Sequence, residues 1–128
     1  MISRRVLAAV AALAVLAGVP GVPHLRRFDG EVLEREYVAG APMQVARPVD
    51  PAYFRASAAL LRRVHRTGVA HNDLAKEPNW LVTPQGLPAL VDFQLATRDA
   101  RGDRCAPSDW WPPSVDAEHR GRPGCLGG

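Results

Sequence analysis

The chain has 128 residues, which leaves room for a single domain with a modest hydrophobic core. Its hydrophobic content of 47% and charged content of 23% are ordinary for a globular protein. The net charge of +3 is spread along the sequence and forms no basic stripe with interleaved aromatics, so the composition argues against nucleic-acid binding.

The N-terminal segment, residues 1–24, has two interpretations. Two arginines precede the apolar run 6–17, an order that is typical of a secretory signal peptide over residues 1–19. The run is too short for a transmembrane helix, which needs about 20 apolar residues. The other interpretation is an apolar, Ala- and Leu-rich helix that ends at Gly18, because prolines follow closely. We favour the helix and keep the signal peptide as the alternative.

Two short segments, Leu25–Phe28 and 32–37, are predicted to be strands of a β-hairpin. The pair Asp29-Gly30 between them favours a tight hairpin turn. The second strand leads into a segment rich in glycine and proline.

A helix is predicted from Pro51 to about Arg66. Asp50 suits its N-cap, and proline suits the first helical position because its missing N–H is not needed there. Gly68 is expected to end the helix, and His65 is interpreted as a solvated or capping residue. The predicted apolar stripe is Phe54, Ala58, Leu60, Leu61 and Val64, and the predicted water-facing residues are Arg55, Arg62, Arg63 and Arg66.

A second hairpin is predicted from strands at 80–82 and 90–91 around a turn at 83–86 that contains proline and glycine. This hairpin would place the segments before and after it side by side. Residues 98–128 contain Pro/Gly clusters and no helical or strand periodicity, so a weakly ordered tail is expected there.

Two polar motifs flank the second hairpin. The first is His71-Asn-Asp-Leu with Asn79 beyond it, and the second is Asp92-Phe93-Gln94. Phosphoryl transfer needs a carboxylate that orients a hydroxyl, and metal ions held by carboxylate and amide oxygens. Oxygen ligands of this kind suit Mg²⁺. The two motifs supply these groups.

The first motif resembles the catalytic loop of the protein-kinase superfamily, H-x-D-L followed by Asn, and the second resembles its D-F-G. The nearest resemblance is to bacterial RIO-like and lipopolysaccharide-type small kinases, whose catalytic loops also lack the Arg of H-R-D. The resemblance implies an α+β fold: a kinase-like lower-lobe core of helix, catalytic loop and short β-hairpin, with a remnant of the upper lobe. Residues 25–97 would be the kinase-like hinge and catalytic core.

The resemblance also implies a role for individual residues. Asp73 would accept the proton of the substrate hydroxyl, and Lys76 would neutralise the transferred phosphate. Asn79 and Asp92 would hold Mg²⁺. The hinge residues whose backbone would bind ATP are Glu36, Tyr37 and Val38, and the structural residues of the loops would be His71 and Phe93.

The implied activity is that of a serine/threonine-kinase-like transferase, which uses ATP and Mg²⁺ to phosphorylate a hydroxyl of a protein, sugar or lipid-linked acceptor. The expected partners are ATP and that acceptor. Neither nucleic acid nor a membrane span is expected, beyond a weak association through the N-terminus. The expected location is the cytoplasm, with export or membrane association through residues 1–19 as the alternative.

Three departures from the family pattern limit this expectation. Asn79 lies six residues after Asp73, one more than usual. Gln94 replaces the glycine of D-F-G. A glutamine fits at this position only where its φ stays negative. Lys76 is the only lysine and no acidic residue precedes Asp29, so the upper-lobe Lys–Glu pair has no counterpart, and neither does the Gly-rich loop.

We therefore expect a truncated kinase relative with low or no activity. One alternative is a degenerate pseudokinase or nucleotide-binding module. The other is a small exported protein with a cleaved signal peptide and a disulfide between Cys105 and Cys125.

Overall fold

The structure is a computed structural model that describes residues 2–98 and Asp103. Within these residues, the helices are α1 (Arg4–Val15), the single turn α2 (Met43–Ala46) and α3 (Pro51–Arg66), and a 3₁₀ turn covers Glu77–Asn79. The strands are β1 (Leu25–Phe28), β2 (Leu33–Arg35), β3 (Ala41–Pro42), β4 (Val69–Ala70), β5 (Trp80–Val82), β6 (Pro88–Leu90) and β7 (Thr97–Arg98). The chain is thus a mixed helix and strand protein. Apart from Arg98 and Asp103, the predicted weakly ordered tail lies outside the described residues.

The strands pair in three small antiparallel sheets: β1 with β2, β5 between β3 and β6, and β4 with β7. The first hairpin is confirmed, with Asp29 Oδ1 accepting the amides of Glu31 and Val32 at 2.9 and 2.8 Å. Gly30 has a φ of +101°, which a residue with a Cβ rarely adopts. The strand predicted at 32–37 is shorter in the structure and covers only β2.

Helix α1 packs one face against the rest of the protein. Ser3 caps it by accepting the Arg5 amide at 3.1 Å, and the helix ends three residues before Gly18, which has a φ of +86°. Leu13 and Leu16 are almost completely buried in the core, whereas Leu7 is 46% exposed. The segment is therefore helical, with its apolar face packed in the core. Within the described part of the chain, no helix combines the length and hydrophobicity that crossing a membrane requires.

Helix α3 has the bounds and orientation that the sequence predicts. Asp50 accepts the Ala52 amide at 2.9 Å, and Gly68 follows the helix with a φ of +85°. The five residues of the predicted stripe are buried and the four predicted arginines are exposed. The stripe packs on β6 and on the core residues of α1.

The second hairpin joins β5 to β6 through a turn in which Gly86 donates to the Thr83 carbonyl at 2.8 Å. Trp80 is fully buried, and its indole N–H donates to the Leu74 carbonyl at 3.1 Å. Val91, predicted as part of the second strand, lies just after β6. The hairpin therefore holds the segments on its two sides together, as predicted.

Candidate functional site

His71 links the two polar motifs. Its Nε2 lies 2.8 Å from the Val91 carbonyl, and its Nδ1 lies 3.1 Å from the Asp73 amide nitrogen. A carbonyl oxygen can only accept and a backbone amide can only donate a hydrogen bond, so Nε2 acts as the donor and Nδ1 as the acceptor. The buried ring also meets Phe93 edge to face, with centroids 4.8 Å apart. His71 and Phe93 thus form a contact between the two loops.

Asp73 and Asn79 are held together directly. The Asn79 Nδ2 lies 3.1 Å from both the carbonyl oxygen and the Oδ2 of Asp73. A 3₁₀ turn at Glu77–Asn79 ends the segment between them, and the two side chains meet across a spacing of six residues. The Asn79 carbonyl in turn accepts the Val91 amide at 2.9 Å, which places Asn79 next to the residue that precedes Asp92.

Asp92 has a left-handed backbone, with a φ of 61°. This conformation is uncommon for a residue with a Cβ and costs roughly 1–2 kcal/mol, although Asp tolerates it better than most. The Gln94 Nε2 and amide nitrogen lie 3.3 and 3.5 Å from the Asp92 carboxylate, so both contacts are weak. Gln94 itself has no positive φ, in agreement with the sequence-based requirement.

The residues present are compatible with Mg²⁺. Asn79 is only 3% exposed, and its Oδ1 accepts no hydrogen bond from the described residues, so a buried acceptor is left for a ligand. In the described part of the chain, no three His, Cys, Asp or Glu side chains cluster closely enough to hold a metal ion. Asn79 and Asp92 would be a sparse ligand set, which suits Mg²⁺ because this ion usually retains waters and binds substrate phosphates.

Lys76 lies on the protein surface, and its side chain forms no ion pair with the described residues.

The three residues of the predicted hinge differ in whether their backbone groups already form hydrogen bonds. The Glu36 amide donates to the His24 carbonyl at 2.8 Å, and the Glu36 carbonyl accepts from the Arg35 guanidinium at 3.1 Å. The backbones of Tyr37 and Val38 form no hydrogen bonds within the described residues, so these two have polar groups available for a ligand.

Asp103 is a site residue that the sequence-based analysis missed. It is 4% exposed, and its carboxylate accepts the amides of His71 and Asn72 at 2.9 and 2.6 Å. Burial by itself raises the pKa of Asp103, but the contact with His65 and the hydrogen bonds from the two amides outweigh it. The pKa of Asp103 therefore lies below its ordinary value.

His65 completes this contact. Its Nε2 lies 2.7 Å from Asp103 Oδ2, and its side chain is only 9% exposed. The prediction of a solvated or capping His65 is therefore wrong, because its side chain is buried against Asp103 near the end of α3. Nothing local in the sequence indicates the pair, since the two residues are 38 positions apart.

A cavity of about 350 Å³ lies between α1, β2 and the second motif. Arg5 and Leu13 line it from α1, Arg35 lines it from β2, and Asp92 and Phe93 line it from the motif. The other predicted site residues, from the hinge and from the first motif, are not part of its lining. The second motif thus lines a partly open cavity, whereas the residues of the first motif lie outside its lining.

In comparisons with protein-family models and with curated proteins, no family model and no curated protein matches this chain. What the chain does therefore has to be inferred from its own residues.

Proposed function

We propose that the chain is a kinase-like protein that binds a Mg²⁺–nucleotide and has low or no phosphotransferase activity. The observation that carries this proposal is the hydrogen-bonded pair of Asp73 and Asn79, held next to Asp92 by the contact between the Asn79 carbonyl and the Val91 amide. A carboxylate, a buried amide oxygen and a second carboxylate on fixed loops are the groups that phosphoryl transfer requires.

Each residue of the site would have a separate role. Asn79 Oδ1 and the Asp92 carboxylate would bind the metal, whose charge offsets that of the phosphate oxygens. Asp73 would orient the acceptor hydroxyl through the oxygen that Asn79 does not contact. His71 would keep both loops in register, since it binds Val91 on one side and Asp73 on the other.

Weak transfer is expected because the chain has no lysine placed to offset the charge of the transferred phosphate. Lys76, the only lysine, is exposed and forms no ion pair with the described residues. The negative charge that develops on a transferred phosphate would therefore be only partly offset. A nucleotide-binding module without transfer activity is the second candidate, and the same observation favours it.

Calorimetric titration of the full chain with ATP, with and without Mg²⁺, tests the proposal. Binding should depend on Mg²⁺ and should be lost in Asp92→Asn, which keeps the size of the side chain and removes its charge. The matched control is Asp50→Asn, because Asn serves equally well as an N-cap and the charge removed lies outside the site. A folded wild-type chain that binds no nucleotide would contradict the proposal.

Phosphate transfer from labelled ATP then separates the two candidates. Transfer to added hydroxyl acceptors that Asp73→Asn abolishes, with ATP binding retained, would identify a phosphotransferase. Binding without any transfer, in the wild type and in the variant alike, would identify a nucleotide-binding module.

A further inference from the structure

Two arginines line the cavity beside Asp92 and form no ion pair with any residue that the structure describes. Arg5 lies on the same stripe of α1 as Ala9 and Leu13, which also line the cavity, because residues four apart share a helix face. Arg35 follows Leu33 on one face of β2, since alternate residues of a strand point the same way. The two cations thus reach one space from different elements.

The two acidic residues next to Arg35 in sequence lie close to other basic residues. Glu34 lies 3.6 Å from Arg27, and Glu36 lies 3.8 Å from His24. Neither Arg5 nor Arg35 forms an ion pair with the described residues. The cavity lining thus contains two guanidinium groups and a single carboxylate, that of Asp92, which leaves a net positive charge that a bound anion would offset.

The volume and the lining of the cavity are also typical of a ligand site. Its volume of about 350 Å³ lies within the range of small-molecule sites, and most of the remaining lining is apolar. One of the five donors of the Arg35 guanidinium is used, in the bond of Nη1 to the Glu36 carbonyl. The guanidinium fork matches the geometry of phosphate oxygens, which it binds with two parallel hydrogen bonds.

We infer that Arg5 and Arg35 bind the phosphate groups of the nucleotide in this cavity and supply the positive charge for which the chain has no suitably placed lysine. The inference rests on the proposed function, because Asp92 at the same cavity is what would connect those phosphates to the metal site. One residue of α1 and one residue of β2 would thus bind the phosphates, so the N-terminal helix would form part of the binding site.

The experiment compares ADP with adenosine, titrated into the full chain by calorimetry in the presence of Mg²⁺. Arg5→Gln and Arg35→Gln should each weaken ADP binding by about tenfold or more, as expected for loss of a charge-assisted hydrogen bond. Adenosine binding should hardly change, because adenosine has no phosphate. Arg35→Lys should retain part of the ADP affinity, since it keeps the charge and loses the fork.

Two control variants make the comparison specific. Arg4→Gln removes the same charge one position from Arg5, and Arg26→Gln removes it on β1, the strand that pairs with β2; neither residue lines the cavity. Equal losses in the controls and in the two test variants would overturn the inference, because they would indicate a general effect of net charge. Circular dichroism of each variant verifies that the fold is intact.

The outcomes also distinguish the inference from the proposed function. If ADP binds the wild type in an Asp92-dependent manner and Arg5→Gln and Arg35→Gln leave the affinity unchanged, the inference is wrong and the proposed function stands. If the folded wild type binds neither ADP nor adenosine, both are wrong.

Discussion

The carboxylate of Asp103 accepts a hydrogen bond from the backbone amide of His71, 32 residues earlier in the chain, at 2.9 Å. The same carboxylate accepts the next amide, that of Asn72, which has a left-handed backbone with a φ of 71°. One buried side chain therefore holds the beginning of the loop that contains Asp73. This contact fixes the backbone of the first motif from a part of the chain that is distant in sequence.

Asp103→Asn is expected to destabilise the protein by about 1–3 kcal/mol, because the amide group that replaces one oxygen leaves a buried backbone donor unpaired. Urea denaturation at neutral pH measures the loss. Asp29→Asn is the matched control, since Asp29 also accepts two backbone amides but is exposed. Equal stability of Asp103→Asn and wild type would mean that the contact does not hold the loop.

The stabilisation from Asp103 should depend on pH. Its pKa is below the ordinary value of 3.8 in the folded protein, so the unfolded chain takes up the proton first as the pH falls. The contribution is therefore complete above pH 3.8 and is lost as the pH falls below that value through the folded pKa. The difference in unfolding free energy between wild type and Asp103→Asn should narrow over this range. A difference that is constant from neutral pH to pH 3 would contradict the assignment.

The left-handed backbone at Asp92 should reverse the usual order of stability between a glycine and an alanine substitution. At ordinary φ values, glycine is less favourable than alanine by about 0.5–1 kcal/mol, because it has more conformational freedom to lose. At the φ of 61° found here, Asp92→Gly should instead be more stable than Asp92→Ala, by about 1 kcal/mol. Both variants lack the carboxylate, so thermal denaturation of the pair isolates the backbone effect. The ordinary order, with alanine the more stable, would show that residue 92 is not left-handed.

Gly21 and Gly18 offer a similar comparison in the segment after α1. Both have a positive φ, of +91° and +86°. A Cβ at Gly21 would lie 2.9 Å from a methyl group of the fully buried Leu60, whereas a Cβ at Gly18 would meet nothing within 4 Å. Gly21→Ala should therefore be less stable than Gly18→Ala by about 1–3 kcal/mol, the usual range for overpacking. Chemical denaturation of both variants measures the difference, and equal losses would mean that the segment does not pack on α3.

Local features of the sequence were sufficient to predict most of the secondary structure. Asp50 and Pro51 start α3, Gly68 ends it, and Asp29-Gly30 turns the first hairpin, all as predicted. These signals work because a cap or a turn is decided by hydrogen bonds and φ values within a few residues. The short strands β3, β4 and β7 were not predicted, because two residues contain no periodicity and form a strand only where a partner strand lies alongside.

The sequence by itself also determined the chemistry that is available, since the two motifs supply the carboxylates and the amide that the proposed site uses. Only the tertiary structure decided how these groups are held: Asn79 against Asp73, and the loop against Asp103. The contact with Asp103 depends on where the chain passes after many intervening residues, and no local pattern encodes that path. The cavity between α1 and β2 arises in the same way, because it exists only after two elements that are separate in sequence have packed around the second motif.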